Sequence, residues 1–232
     1  MSIIELDKIN SYYGDSHILF DVSMEVREKE VVALLGRNGA GKSTTLKTLA
    51  GVLHPRSGTI KLAGEELHHL PTYEIARRGL QLVPDERRIF GSLTVAENLK
   101  LATLSADDPW PIKRIYEMFP RLEERRESRG GYLSGGEQQM LAIARALIRN
   151  PRVIQLDEPF EGLAAIIVRD LLEISQRLVA EGPTVIIVEQ NLRAALRLAT
   201  RCYVLNNGQI VFTGSTEELK ANPEVTSRYI GI

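Results

Sequence analysis

"EVVALLGRNGAGKSTTLKTLAG", residues 30 to 51, is the stretch whose reading decides the fold. The apolar run Val31 to Leu35 reads as a strand, "STTLKTLA" reads as a helix ending at Gly51, and between them "GRNGAGKS" fits G-x-x-x-x-G-K-[ST]. Glycines without Cβ atoms let backbone N–H groups close around an anion, and a helix starting there aims its positive end at it. Gly36, Arg37, Asn38, Gly39, Ala40, Gly41, Lys42, Ser43 and Thr44 therefore form a candidate cradle for nucleotide phosphates. Lys42 is expected to reach the β- and γ-phosphates and the Ser43 hydroxyl to ligate Mg²⁺.

On either side of this unit the pattern changes twice. "IIELDKI", "DVSMEV" and "EVVALLG" alternate with a period of two, and strands return at "GTIKLAG", which predicts a partly antiparallel sheet. Farther on, "LQLVP", "RVIQLDEP" and "TVIIVEQ" are short apolar runs separated by helical stretches, the signature of buried parallel strands in an α/β core. "CYVLNNGQIVFTG" carries Asn207-Gly208 between two strand-like runs, a hairpin signal. From about 85 to 150 the chain is helical and charge-rich, as in "IKRIYEMFPRLEERRES", and reads as a helical subdomain inserted into the core. With 232 residues, 44% hydrophobic, a single domain spanning 1–232 is expected.

A formal net charge of −1 supplies no field to attract nucleic acid, so no nucleic-acid partner is expected. No apolar run approaches the roughly eighteen residues of a spanning helix, and "MSIIELDKIN" lacks the features of a signal peptide, so the chain is expected in the cytosol. Cys202 reads as a buried small hydrophobe, and His17, His54, His68 and His69 show no metal-ligand spacing, so structural zinc is not expected.

Two further segments carry chemistry. "VIQLDEP" delivers Asp157 and Glu158 at the end of an apolar strand, one carboxylate to hold Mg²⁺ directly or through water and the other near an attacking water. The bland alternative is that both acids cap the next helix. Gln155, polar within that strand, has no evident role. "YLSGGEQQ", residues 132 to 139, opens a helix with two glycines where they cost stability. Ser134 and Glu137 form a capping box, but a cap does not require Gly135 and Gly136. Bare N–H groups there can meet a phosphate.

With cradle, Asp-Glu pair and "LSGGEQ" in this order, the whole chain resembles the ATP-binding subunit of ABC transporters. The resemblance implies a P-loop NTPase of the ABC type, an antiparallel β subdomain, a helical subdomain, and ATP and Mg²⁺ as ligands. It implies that Tyr13 of "SYYGD" stacks on adenine, with Tyr12 its neighbour and strand packing the alternative for either. "FEGLA", Phe160 to Ala164, becomes the loop where two ATPase subunits touch. The resemblance also implies that Leu133, Ser134, Gly135, Gly136, Glu137 and Gln138 face a nucleotide held by a second subunit, Lys42 filling the chain's own cradle.

Two positions depart from the common pattern. Asp85 stands where many members have glutamine, and can still bind Mg²⁺ or its water. Gln190 stands where many have histidine, and can donate a hydrogen bond to a γ-phosphate without carrying charge. An impaired ATPase is one reading of these departures. Acidic "VPDERRIF" and "VEQN", with "LTVAENL" and "FEGLA", are instead similar to importers of branched-chain amino acids and related amides, in particular the shorter of their two ATPase subunits. Expected partners are a second ATPase subunit, membrane permease subunits on whose cytoplasmic face the chain works, and indirectly an external substrate-binding protein. A soluble, non-transport ABC ATPase acting as a clamp or regulator on nucleic acid or ribosomes is the alternative. A P-loop kinase leaves "LSGGEQQ" unexplained.

Overall fold

The computed structural model describes residues 1–181 and 183–231. Four strands, β1 (Ser2–Tyr13), β2 (Ser16–Arg27), β4 (Ser57–Leu62) and β5 (Glu65–Glu66), pair antiparallel in the order β2-β1-β4-β5. A second sheet holds β3 (Val31–Leu35), β6 (Leu80–Val83), β7 (Val153–Asp157), β8 (Thr184–Glu189), β9 (Arg201–Asn206) and β10 (Gln209–Ser215), in the order β10-β9-β3-β8-β7-β6. All its pairs are parallel except the β9–β10 hairpin, whose turn puts Asn207 at φ 47° and Gly208 at φ 75°.

One sequence expectation needs correction. "VVALL" does not belong with the antiparallel strands. All five residues of β3 are buried, and the strand lies between β8 and β9 in the parallel sheet. A strand covered on both faces reads as a continuous apolar run, and the flanking Glu30 and Gly36 only imitate alternation.

The two faces of β3 define two cores. Val32 and Leu34 pack into the core shared with the antiparallel sheet and α1 (Lys42–Leu49), including Leu46 and Leu49. Val31, Ala33 and Leu35 face the other core, with α6 (Gly135–Leu147), α7 (Ala165–Glu181) and α8 (Leu192–Leu198). A short α2 (Thr72–Arg77) precedes β6.

Between β6 and α6 lie α3 (Val95–Thr103), α4 (Ile112–Met118) and α5 (Pro120–Glu124). Asp85 to Thr94 form a loop, and the helices of this span begin only at α3. Fully buried Asn98 holds this loop: its Oδ1 accepts the Phe90 N–H at 3.0 Å, and its Nδ2 donates to the Phe90, Leu93 and Thr94 carbonyls. Thr94 and Glu97 then close a capping box that starts α3.

Register fixes the site. Leu35 pairs with Glu189 across β3–β8, and Asp157 with Val188 across β7–β8. The ends of three adjacent parallel strands therefore present the glycine loop, Gln190 and the Asp157-Glu158 pair side by side, at the carboxyl edge where open α/β sheets bind ligands.

Candidate active site

The glycine loop leaves β3 through Gly36, at φ 149°, where a Cβ would lie 2.2 Å from the Leu205 carbonyl oxygen. Gly41, at φ 106°, initiates α1, and a Cβ there would press on Leu19 and Leu205. At Gly39, φ 77°, an added Cβ would meet nothing within 4 Å. Two glycines thus fit the loop against the core, and the third leaves its concave side open. Buried Ala40 is tied in by Gly208, whose N–H donates to the Ala40 carbonyl at 2.9 Å. Arg37 and Asn38 are exposed, and Arg37 Nη2 donates to the Ser227 carbonyl. Lys42 is only 4% exposed, with Nζ donating to the Arg37 carbonyl at 3.2 Å and 3.4 Å from Glu158 Oε1. Lys42, Ser43, Thr44, Gly39 and Glu158 line a cavity of about 270 Å³ with Tyr13 at its rim.

Tyr13 is 47% exposed, whereas the Tyr12 ring is stacked on His17 at 4.0 Å and covered by the Arg56 guanidinium. Packing thus occupies Tyr12 and leaves Tyr13 at the cavity.

On the acidic side, the Ser43 hydroxyl donates to Asp157 Oδ1 at 2.9 Å. Burial pushes the Asp157 carboxyl up to about 6; the Ser43 bond opposes this, and the nearby charges of Asp85 and Glu158 add to it. A buried carboxylate beside a hydroxyl and two more acids is a hard-oxygen donor set whose repulsion a divalent cation such as Mg²⁺ would relieve. Glu158 sits at φ 47°, a left-handed backbone that a non-glycine residue adopts at a cost and that recurs at functional positions. Burial works against its ionisation. Hydrogen bonding with Glu161, the Gln190 donor and the Lys42 charge outweigh that and hold its carboxyl below the usual range, while Glu161 is raised by its bond to Glu158. Gln190 Nε2 donates to both Glu158 oxygens, at 2.9 Å each. Neither Asp157 nor Glu158 caps the following helix, because α7 begins only at Ala165.

Asp85 is exposed, its Oδ1 accepting the Glu86 N–H, and with Glu158, Glu161 and Gln139 it lines an adjoining cavity of about 250 Å³. Glu189 belongs to no motif that marks it along the chain. It is buried, its Oε1 accepting the Phe160 N–H at 3.1 Å and its Oε2 the Asn191 N–H at 3.3 Å, so it ties the loop after Glu158 to the loop after Gln190. A carboxylate ending the buried apolar run "TVIIVE" was the available signal.

The "LSGGEQ" segment lies at the start of α6. Ser134 is exposed, its Oγ accepting the Glu137 N–H at 3.3 Å, and Glu137 Oε2 accepts the Ser134 N–H at 2.8 Å, a complete capping box. Leu133 is buried, and Gln138 Nε2 donates to the Gly130 carbonyl. The two glycines have different reasons. A Cβ on Gly136 would fall 2.4 Å from Ile167 Cγ2, so contact with α7 requires that glycine. Gly135 has only the flexible end of Arg87 above it, at 3.3 Å, so an added Cβ there would meet no fixed atom.

A larger cleft of about 460 Å³ separates α2 and β6 from α3 and α6. Exposed Val52, Phe90 and Leu101 line it together with Arg87, Arg88, Arg145 and Arg149. None of the helices, among the described residues, is long and apolar enough to cross a membrane.

With this geometry in hand, comparison with known proteins gives a consistent result. The family model described as ABC transporter matches residues 19–161. The high-affinity branched-chain amino acid transport ATP-binding protein BraG of Pseudomonas aeruginosa is 48% identical over 232 residues, covering 99% of this chain and 100% of the relative. A nucleotide-free ATP-binding cassette from an ABC transporter superposes with a TM-score of 0.86 at 28% identity, covering 100% of this chain and 99% of that one. A bacterial ABC transporter cassette solved as a dimer superposes at 0.81 with 27% identity, covering 92% of this chain and 98% of that one.

Proposed function

The chain belongs to the ABC transporter family, and on that premise we propose that it is the ATP-hydrolysing motor of an import system for branched-chain amino acids or related amides. The observation that carries the ATPase reading is the convergence of Lys42, Ser43, Asp157, Glu158 and Gln190 at the ends of three adjacent strands. The full-length likeness to a branched-chain amino acid transport subunit supports the substrate class. No observation favours a clamp on nucleic acid.

Lys42 holds the β- and γ-phosphates of ATP, exchanging its Glu158 partner for them, and the backbone N–H groups at the start of α1 enclose the rest. Tyr13 stacks on the adenine. Ser43, Asp157 and Asp85 are the residues to hold Mg²⁺, which supplies neutralisation of the phosphate charge when bound. Glu158, kept ionised, accepts the proton of the attacking water as general base. Gln190 orients the Glu158 carboxylate through its two hydrogen bonds and, with ATP present, can donate to a γ-phosphate oxygen.

ATP joins two ATPase subunits head to tail, each site using one chain's cradle and the other chain's Ser134 and Gly135. The arginine-lined cleft between α2 and α3, with exposed Phe90 and Leu101, is the surface offered to permease subunits on the cytoplasmic face of the membrane.

The test of the shared site is complementation. Lys42→Ala and Ser134→Arg homodimers are each expected to be inactive. Mixed dimers regain a single intact site, because the Ser134→Arg chain supplies a cradle and the Lys42→Ala chain a signature helix. Steady-state ATPase of the mixture, assembled with permeases, should exceed that of either variant. Silence from mixed dimers shown to form would refute the shared site, provided a dimer with one normal site is first shown to turn over. Co-purification of the untagged permeases with the chain tests the transport role.

A further inference from the structure

Along the chain the four histidines show no ligand spacing, yet the fold gathers three of them. Past β5 the turn from Glu66 to Leu70 is anchored by Leu67, which is fully buried and donates its N–H to the Ile60 carbonyl at 2.8 Å. The Leu70 N–H returns to the Leu67 carbonyl at 2.8 Å. With Leu67 turned inward, Glu66, His68 and His69 are left together, and one ligand atom from each lies within 4.8 Å of the others. The two imidazoles meet edge to face with ring centroids 5.3 Å apart. Nδ1 of His54, which follows α1, lies 3.3 Å from the His68 carbonyl oxygen, and the Thr72 hydroxyl donates to the Gly51 carbonyl at 2.8 Å. The same turn is therefore pinned to the segment that ends the cradle helix.

Two observations point from this cluster to a ligand. Nδ1 of His68 is buried with no hydrogen-bond partner, a polar atom that nothing in the protein satisfies. Arg78 neutralises Glu65 at 3.4 Å, whereas neighbouring Glu66 forms no ion pair among the described residues. Two imidazoles and one carboxylate are the donors that zinc and neighbouring transition ions take. Mg²⁺ prefers an all-oxygen set.

We propose that Glu66, His68 and His69 bind a divalent transition-metal ion of the Zn²⁺ class, at a site separate from the nucleotide cavity. The bound ion fastens the turn between β5 and α2 beside the end of α1. Three protein ligands leave a position open to water, so the ion exchanges with its surroundings and is not a permanent structural zinc.

The experiment measures Zn²⁺ binding to the untagged full chain by competition with a chromophoric chelator, in excess Mg²⁺ and without nucleotide. A single ion per chain is expected. Exposed Glu66 and His69 can be changed without disturbing the core, so Glu66→Ala and His69→Ala should each weaken binding by roughly tenfold or more, the scale on which losing even an outer-shell partner is felt. The double variant should lose binding altogether. His17→Ala, which alters the remaining histidine, should bind as the parent does. Zn²⁺ should also raise the thermal midpoint of the parent and leave that of the double variant unmoved. No binding by the parent in the presence of Mg²⁺, or binding that survives in the double variant, overturns the site. Binding with no shift in the parent's midpoint overturns the fastening of the turn.

Discussion

Glu158→Gln separates the two jobs we propose for that carboxylate. As general base it accepts the proton of the attacking water, and losing a general base slows chemistry by about 10²- to 10⁴-fold, or ~3–5 kcal/mol of barrier. As partner of Lys42, 3.4 Å away and with both side chains largely buried, it also competes with ATP for the cradle's charge. The gross attraction at that distance is about 5 kcal/mol at an effective dielectric of ~20, but desolvation of the buried pair offsets much of it and the ATP phosphates replace the rest, so only a small net change in ATP affinity is expected. The variant should therefore hydrolyse ATP far more slowly while binding it as tightly as the parent or a few-fold more tightly. Gln190 adds to the loss of rate, because its Nε2 now faces an amide in place of two carboxylate oxygens. Single-turnover ATPase measures the first effect, and equilibrium binding of a fluorescent ATP analogue the second. Turnover at the parental rate would remove Glu158 from the role of base and make Asp85, across the adjoining cavity, the next candidate. Binding weakened tenfold or more would mean that Glu158 positions Lys42 for ATP and does not compete with it.

Other perturbations probe the neighbours. Gln190→Ala removes both hydrogen bonds to Glu158 and should lower kcat by roughly tenfold with KM little changed, whereas Gln190→His, which keeps a donor, should be tolerated; unchanged kcat in the alanine variant would reduce Gln190 to a strand-end residue. Gly136→Ala drives a methyl against Ile167 and should destabilise the chain by about 1–3 kcal/mol in urea unfolding, with Ile167→Ala recovering part of the loss; a neutral effect would refute the packing role. Burial pushes Glu189 up to about 7 from an ordinary 4.5, against the backbone N–H groups of Phe160 and Asn191, so the folded chain keeps a proton that the unfolded chain releases. Its contribution is fully present below about pH 4.5 and lost as pH rises through about 7, a change of up to ~3 kcal/mol. Non-titrating Glu189→Gln should therefore gain on the parent between pH 5 and pH 8 in paired thermal melts, and a pH-independent difference would show that Glu189 folds ionised.

What the sequence determined by itself is the chemistry that depends on neighbours along the chain. A glycine loop between strand and helix, a capping box at Ser134 and Glu137, a turn at Asn207-Gly208 and acids ending an apolar strand are local, because glycine freedom, caps and turns act over a few bonds. Tertiary structure decided everything set by pairing across the sheet. Strand order placed β8 between β3 and β7, and so brought Gln190 onto Glu158 from 32 residues away. Coverage on both faces made β3 a central strand, which its five apolar residues alone left ambiguous. The same distinction separates Gly135 from Gly136: adjacent and identical in sequence, one is open to approach and the other is closed by Ile167, because only the packing of α7 on α6 says which face of the helix is buried. Long-range contacts of this kind, including the turn that collects Glu66, His68 and His69, follow from how hydrophobic faces are buried against one another, and no local pattern encodes the partner.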